Sequence, residues 1–127
     1  MSGPRDESLL LDDVLTAAHR LVELGNDLPD DYDGRNRALN EMLMWNLVFM
    51  GEAAKRLSPE ACERFDDIPW NRMAQTRDRV VHHYEGIDWH AIRRIIDLDL
   101  PKLVPRLIEI RDIVRAEFDA DETERSR

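Results

Sequence analysis

Residues 77–84 read RDRVVHHY and concentrate phosphate-binding and proton-transferring side chains in one short stretch. An arginine presents a planar fork of donors that matches a phosphate, and a histidine titrates near neutral pH and can take or give a proton. Arg77 and His82 stand five residues apart, which on an α-helix leaves them roughly 140° apart around the axis. A single copy therefore makes a poor closed site. Two copies meeting across a two-fold axis could bring two arginines and two histidines into one cleft, and such isologous pairing is the commonest form of oligomer. The stretch reads as half of a site, and the chain as a homodimer.

The elements that must carry this stretch are all helical. Residues 8–24 form an amphipathic pattern, with Leu11, Val14, Leu15, Ala18, Leu21 and Val22 returning at three- and four-residue steps and Gly25 placed as a C-terminal cap. Residues 26–34 hold a proline, a glycine and four aspartates and suit an exposed loop. Their spacing does not follow the EF-hand calcium pattern. Residues 35–57 give the longest helical pattern and the central core helix, through Leu39, Met42, Leu43, Trp45, Val48, Phe49, Ala53 and Leu57. Asn46 and Glu52 fall on or beside that face and need partners, either in a neighbouring helix or in the site.

Ser58, Pro59 and Glu60 make a helix start, with a serine cap and proline at the first helical position, and a short helix follows to about residue 65. A further helix is predicted over about 69–81, ending within 82–86, with Arg77 emerging beside the apolar stripe of Met73 and Val80 or Val81. Asp88 caps the next helix, where Ile87 and Ile92 occupy the positions of a hydrophobic staple. Arg93 and Arg94 fall mainly outside its buried face. Pro101 disfavours helical geometry at Leu100, which predicts a break or kink within 97–100. The last helix is expected to reach about Phe118, with a possible kink at Pro105, and residues 119–127 have the composition of a disordered acidic tail. The fold class is all-α: an antiparallel bundle of four main helices plus a short one, in a single domain over 1–118.

Composition limits the function classes. With 127 residues, 43% hydrophobic and 35% charged, the chain suits one soluble domain. One cysteine, Cys62, permits no internal disulfide, and no secretion signal or membrane span is apparent; the expected location is the cytoplasm. The net charge of −9 argues against a nucleic-acid partner, but the distribution is uneven. Residues 68–95 carry five arginines against three acids, and His82, His83 and His90 fall there too.

The pattern R-x-x-x-x-H-x-Y of Arg77, His82 and Tyr84 is accompanied by GEAAKRL at 51–57, IPW at 68–70, HHYEGID at 82–88 and LPKL at 100–103. In these residues, over roughly 9–114, the chain resembles the HEPN superfamily, and within it the HepT toxins encoded beside a minimal nucleotidyltransferase antitoxin. The resemblance implies a HEPN-like bundle and a homodimeric endoribonuclease that needs no metal or other cofactor. It further implies the toxin of a type VII-like toxin–antitoxin system, with Arg77 and His82 as the matching catalytic residues. It also implies that the antitoxin transfers AMP to Tyr84, whose plain alternative is packing at a helix end. Asp78 stands where such sequences most often have asparagine, which places a carboxylate beside the phosphate site. Asp78 and His83 are supporting candidates.

RNA supplies its own nucleophile in the 2′-hydroxyl, so a histidine base or acid and an arginine on the phosphate suffice for cleavage. Asp78 and His82, at i and i+4 with His83 adjacent, offer two metal ligands without a clear third. The second function class is a catalytically silent HEPN module that only binds a nucleotidyltransferase or a nucleotide.

Overall fold

The computed structural model describes residues 6–126, and every regular element among them is helical. Residues 1–5 of the expected domain and residue 127 of the expected tail lie outside the described residues. In chain order the helices are α1 (Ser8–Asn26), α2 (Arg37–Arg56), the short α3 (Pro59–Arg64), α4 (Trp70–His82), α5 (Trp89–Arg94) and α6 (Leu100–Arg125). A π-helical segment, Ile95–Asp99, joins α5 to α6 without a break. Counting that joined rod as one, four main helices and a short one make the all-α bundle expected from the periodicity. Helix α2 is central: it packs on α1 on one side and α4 on the other, and α6 returns along α1.

The core follows from the apolar stripes. Leu11, Val14 and Leu21 of α1, Leu43 and Leu47 of α2, and Ile96, Leu100, Leu107 and Ile110 of the last rod are almost wholly buried. At about 25 cal/mol per Å² of apolar surface, burial of this kind is what offsets the chain entropy lost on folding. The start signals act as read. Ser58 Oγ accepts from Ala61 N at 3.1 Å, and Asp88 Oδ1 accepts from His90 N at 3.0 Å and Ala91 N at 3.2 Å.

Several expectations are corrected. Gly25 is not a cap: it lies inside α1, where an added Cβ would collide with Ile96 Cγ2, so the glycine allows α1 and the last rod to approach closely. Leu100 is helical, at φ −62° and ψ −42°. Pro101 has no N–H to give to the preceding turn, and the wider π turn just before it absorbs that mismatch while the rod continues. Residues 119–125, expected as a disordered tail beyond a helix ending near Phe118, continue α6. Alanine, glutamate and arginine there favour helix, and Arg64 anchors the preceding turn through a bidentate pair with Glu117 at 2.8 and 2.6 Å.

The wide apolar face of α2 is also divided differently. Its buried side runs through Leu43, Met44, Leu47, Met50, Ala53 and Ala54, whereas Met42 and Trp45 are exposed, Trp45 at 65%. Arg93 is not an outward cation: its side chain is 16% exposed and pairs with Asp97 at 3.0 Å, and its Nη2 donates to Leu28 O at 3.3 Å. It thereby pins the aspartate-rich loop to the last rod. Gly34 in that loop has φ +83°, and a Cβ there would strike the Trp89 ring, which meets Tyr32 edge-on at 5.8 Å.

Candidate active site

Helix α4 is fixed at its N-terminal end by the residues around Ile68. Ile68 and Trp70 are buried, and Trp70 Nε1 donates to Phe65 O at 2.9 Å. Further along, Gly51 of α2 sets the spacing. A Cβ on Gly51 would collide with Arg77 Cβ and stand 2.7 Å from Met73 O, so only glycine lets α4 lie this close to α2. The contact brings the stem of Arg77 onto the α2 surface.

There the guanidinium is held from two sides. Arg77 Nε ion-pairs with Glu52 Oε1 of α2, and Nη1 donates to Asp78 Oδ1 at 2.8 Å. Lys55, one turn beyond Glu52, places Nζ 3.1 Å from the same Asp78 oxygen. The hydrogen bond from Arg77, followed by that from Lys55, holds the Asp78 carboxyl below the usual carboxylate range, and the Asp78 bond raises Arg77 above its already high value. The four residues form a charge-balanced clamp between two helices. Arg77 is 23% exposed at the side chain, and its Nη2 has no hydrogen-bond partner among the described residues.

His82 is the last residue of α4 and is exposed; at His83 the backbone leaves the helix, with φ −134° and ψ 44°, and its N–H caps Arg79 O at 2.8 Å. Tyr84 opens a single 3₁₀ turn, Tyr84–Gly86, and is 50% exposed. Neither the two imidazoles nor the Tyr84 hydroxyl has a hydrogen-bond partner among the described residues. Because α4 is regular through both positions, Arg77 faces α2 while His82 points to a different side of the helix, as the five-residue spacing requires. One chain brings Arg77 and Asp78 together, and no hydrogen bond joins Arg77 to His82 among the described residues. Asp78, considered beside His82 and His83 as a ligand, is engaged by two cations, and no three His, Cys, Asp or Glu side chains converge among the described residues.

The family model for ribonuclease HepT-like proteins matches residues 14–110, which include the whole clamp, His82 and Tyr84. The chain belongs to this HepT-like family of the HEPN superfamily. A Methanocaldococcus jannaschii protein to which RNase activity is ascribed is 27% identical over 106 residues, covering 84% of this chain and 88% of its own. A Caldanaerobacter subterraneus protein with the same ascription is 27% identical over 100 residues, 79% of this chain and 89% of its own. A Thermococcus cleftensis protein ascribed as ribonuclease HepT is 31% identical over 65 residues, 51% and 59% of the two chains. No solved structure matches the chain significantly.

Within this HepT-like chain, the sequence alone singles out Glu52 with its partner left open, and reasoning from it misses Gly51 and Lys55 as positioning residues. A signal existed for Gly51: a glycine in a helix interior costs about 1 kcal/mol relative to alanine, so its presence points to a close approach. Nothing in the sequence alone pairs Lys55 with a residue on another helix. Among the described residues no helix is long and apolar enough to cross a membrane.

Proposed function

We propose that this HepT-like chain is a metal-independent endoribonuclease, the toxin of a toxin–antitoxin pair, acting as a homodimer whose site is shared across the two-fold axis. The observation that carries the reading is the Arg77 clamp. A guanidinium preset by Glu52 and Asp78 costs little reorganisation when it meets a phosphate. Nη2 supplies the free donor. His82 takes the proton of the RNA 2′-hydroxyl, whose oxygen attacks the adjacent phosphorus. The phosphorane charge falls on Arg77, and a histidinium returns a proton to the leaving 5′-oxygen. One histidine from each chain supplies the base and the acid.

Dimerisation is supported by the surface beside the clamp. Trp45, Phe49 and Glu52 fall at i, i+4 and i+7 of α2, so an exposed tryptophan and a partly buried phenylalanine share the stripe that leads to Arg77. Val81 on α4, 47% exposed, extends the apolar area. A second copy covering this surface would also supply the His82 that one chain holds away from its own Arg77.

Tyr84 is the acceptor for AMP from a minimal nucleotidyltransferase antitoxin, supported by its exposed ring two residues beyond His82. An added phosphate there competes with RNA for Arg77. Tyr84→Phe is expected to fold, accept no AMP by mass spectrometry and escape neutralisation by the antitoxin with ATP. Equal inhibition of both forms would return Tyr84 to a packing role.

A second reading is favoured by one observation: two of the Arg77 donors are already occupied by carboxylates, as in a module that has lost the reaction and only binds a nucleotidyltransferase. Single-turnover cleavage of RNA in the presence of EDTA separates the two. Activity that disappears in both Arg77→Ala and His82→Ala, with melting temperature retained, supports the nuclease. A wild-type chain that cleaves nothing and is harmless when expressed supports the silent module.

A further inference from the structure

Helix α4 packs on α2 but stands apart from the last rod, and the gap between them is a cleft of about 560 Å³ on the opposite side of α4 from the Arg77 clamp. This lies within the range of roughly 300–1,000 Å³ typical of small-molecule sites. Its floor is apolar: the partly exposed Ile95 and Leu103 of the last rod lie over the buried Leu47 and Met50 of α2, Met73 of α4 and Leu100. Its rim carries Arg72, Arg79, Arg94 and Lys102, all exposed, with Asp99 as the one carboxylate.

Eight of the fourteen arginines among the described residues are tied to carboxylates, whereas none of the four rim cations forms an ion pair there. They gather round one apolar cleft in a protein of net charge −9. The π-helical segment contributes Ile95 and Asp99 to the same wall, and such segments occur frequently at functional sites. Gln75, Arg79 and His82 fall at i, i+4 and i+7 of α4, so one stripe leads from the cleft to the candidate catalytic histidine. A strand lying over His82 would continue past Arg79 into the cleft.

We infer that this cleft is a second RNA subsite, in which one unstacked base rests on the apolar floor and the flanking phosphates meet Arg72, Arg79, Arg94 and Lys102. Charge complementarity selects a polyanion, and an apolar floor under a cationic rim suits single strands, whose bases stack on apolar and guanidinium faces. The inference rests on the nuclease reading for the direction of the strand, and its test separates the two.

The probe is a short fluorescein-labelled 2′-O-methyl RNA, which lacks the free hydroxyl needed for cleavage, titrated against the full chain by anisotropy. Arg94→Ala with Lys102→Ala is expected to weaken binding about tenfold and to flatten the salt dependence by about 1.4 in the log–log slope, the value for two lost single-strand phosphate contacts. Arg20→Ala with Arg56→Ala, two exposed cations off the cleft, is expected to bind as wild type, and both variants to keep the melting temperature. Unchanged affinity in the cleft variant overturns the subsite. So does a wild type that binds no oligonucleotide, or that binds an acidic peptide instead, which would make the cleft a protein-docking surface. Cleavage of all-ribose RNA is measured in parallel. Cleavage that depends on His82 with an unchanged KM in the cleft variant leaves the nuclease standing and removes the subsite. Cleft-dependent binding with no cleavage removes the nuclease and leaves the subsite.

Discussion

Arg77 of α4 is ion-paired through Nε to Glu52 of α2, so the orientation of the candidate phosphate-binding group is set by a different helix from the one that carries it. The same α2 turn supplies Lys55 to Asp78, and the two contacts together lock the rotation of α4 against α2 at this point.

Glu52→Ala should therefore act on turnover more than on folding. Glu52 is 45% exposed at the side chain, which places its loss within a modest range of stability, but Arg77 is then free to leave the geometry that receives phosphate. The expected result is a kcat about tenfold lower, as for a misplaced but present catalytic group, with a melting temperature within a few degrees of wild type. Retained kcat with a collapsed melting temperature would reduce the pair to a structural tie.

Gly51→Ala is predicted to destabilise, although the same exchange in an ordinary helix interior gains about 1 kcal/mol. The new methyl meets Arg77 Cβ and the Met73 carbonyl, and the latter is backbone that cannot swing away. Overpacking of this kind costs about 1–3 kcal/mol, visible as a lower urea midpoint. Gly86→Ala is the control, because an added Cβ there meets nothing within 4 Å. Equal behaviour of the two variants would remove the close-approach argument.

Acid should loosen the clamp in a defined direction. The folded-state carboxyl of Asp78 is depressed by its bonds to Arg77 and Lys55, and that of Asp67 by Arg106, so both bind fewer protons when folded than when unfolded. Their stabilisation is fully present above the unfolded carboxylate value of about 3.9 and is lost as pH falls through the lower folded value. Thermal melts between about pH 2 and 6 should show stability falling below about pH 4, with a shallower fall in Asp78→Asn. An identical slope in that variant would mean that Asp78 does not report on folding.

Trp45→Glu tests the shared site. Trp45 is 65% exposed, so the chain should fold with its stability changed by no more than about 0.5 kcal/mol. A buried tryptophan at an interface centre is worth about 2 kcal/mol or more, which predicts at least a thirtyfold weaker dimer in sedimentation and nuclease activity lost in step with dimer mass. A monomer of undiminished activity would exclude a site built from two chains.

How much of this was legible in the sequence depends on the range of the interaction. Periodicity and caps are local, so the helices over Ser8–Asn26, Arg37–Arg56 and Trp70–His82, and the caps at Ser58 and Asp88, are close to what the residues alone imply. The R-x-x-x-x-H-x-Y spacing and its flanking runs identify the family in the same way. The five-residue step from Arg77 to His82 already makes a single copy a poor closed site. Only the tertiary structure decided what depends on which helix lies next to which. It turned Gly25 from a cap into a contact with Ile96, placed Trp45 outside the core, tied Arg93 to the Leu28 carbonyl, and carried the rod through Leu100 and Pro101 by way of a π turn. It also joined Glu52 to Arg77 and Lys55 to Asp78, and left Arg72, Arg79, Arg94 and Lys102 around a common cleft. A helical sequence specifies its own turns through contacts three and four residues apart, but a wide apolar face such as that of α2 fits more than one rotation. The choice among them is made by packing against α1 and α4, which involves residues far apart in the chain.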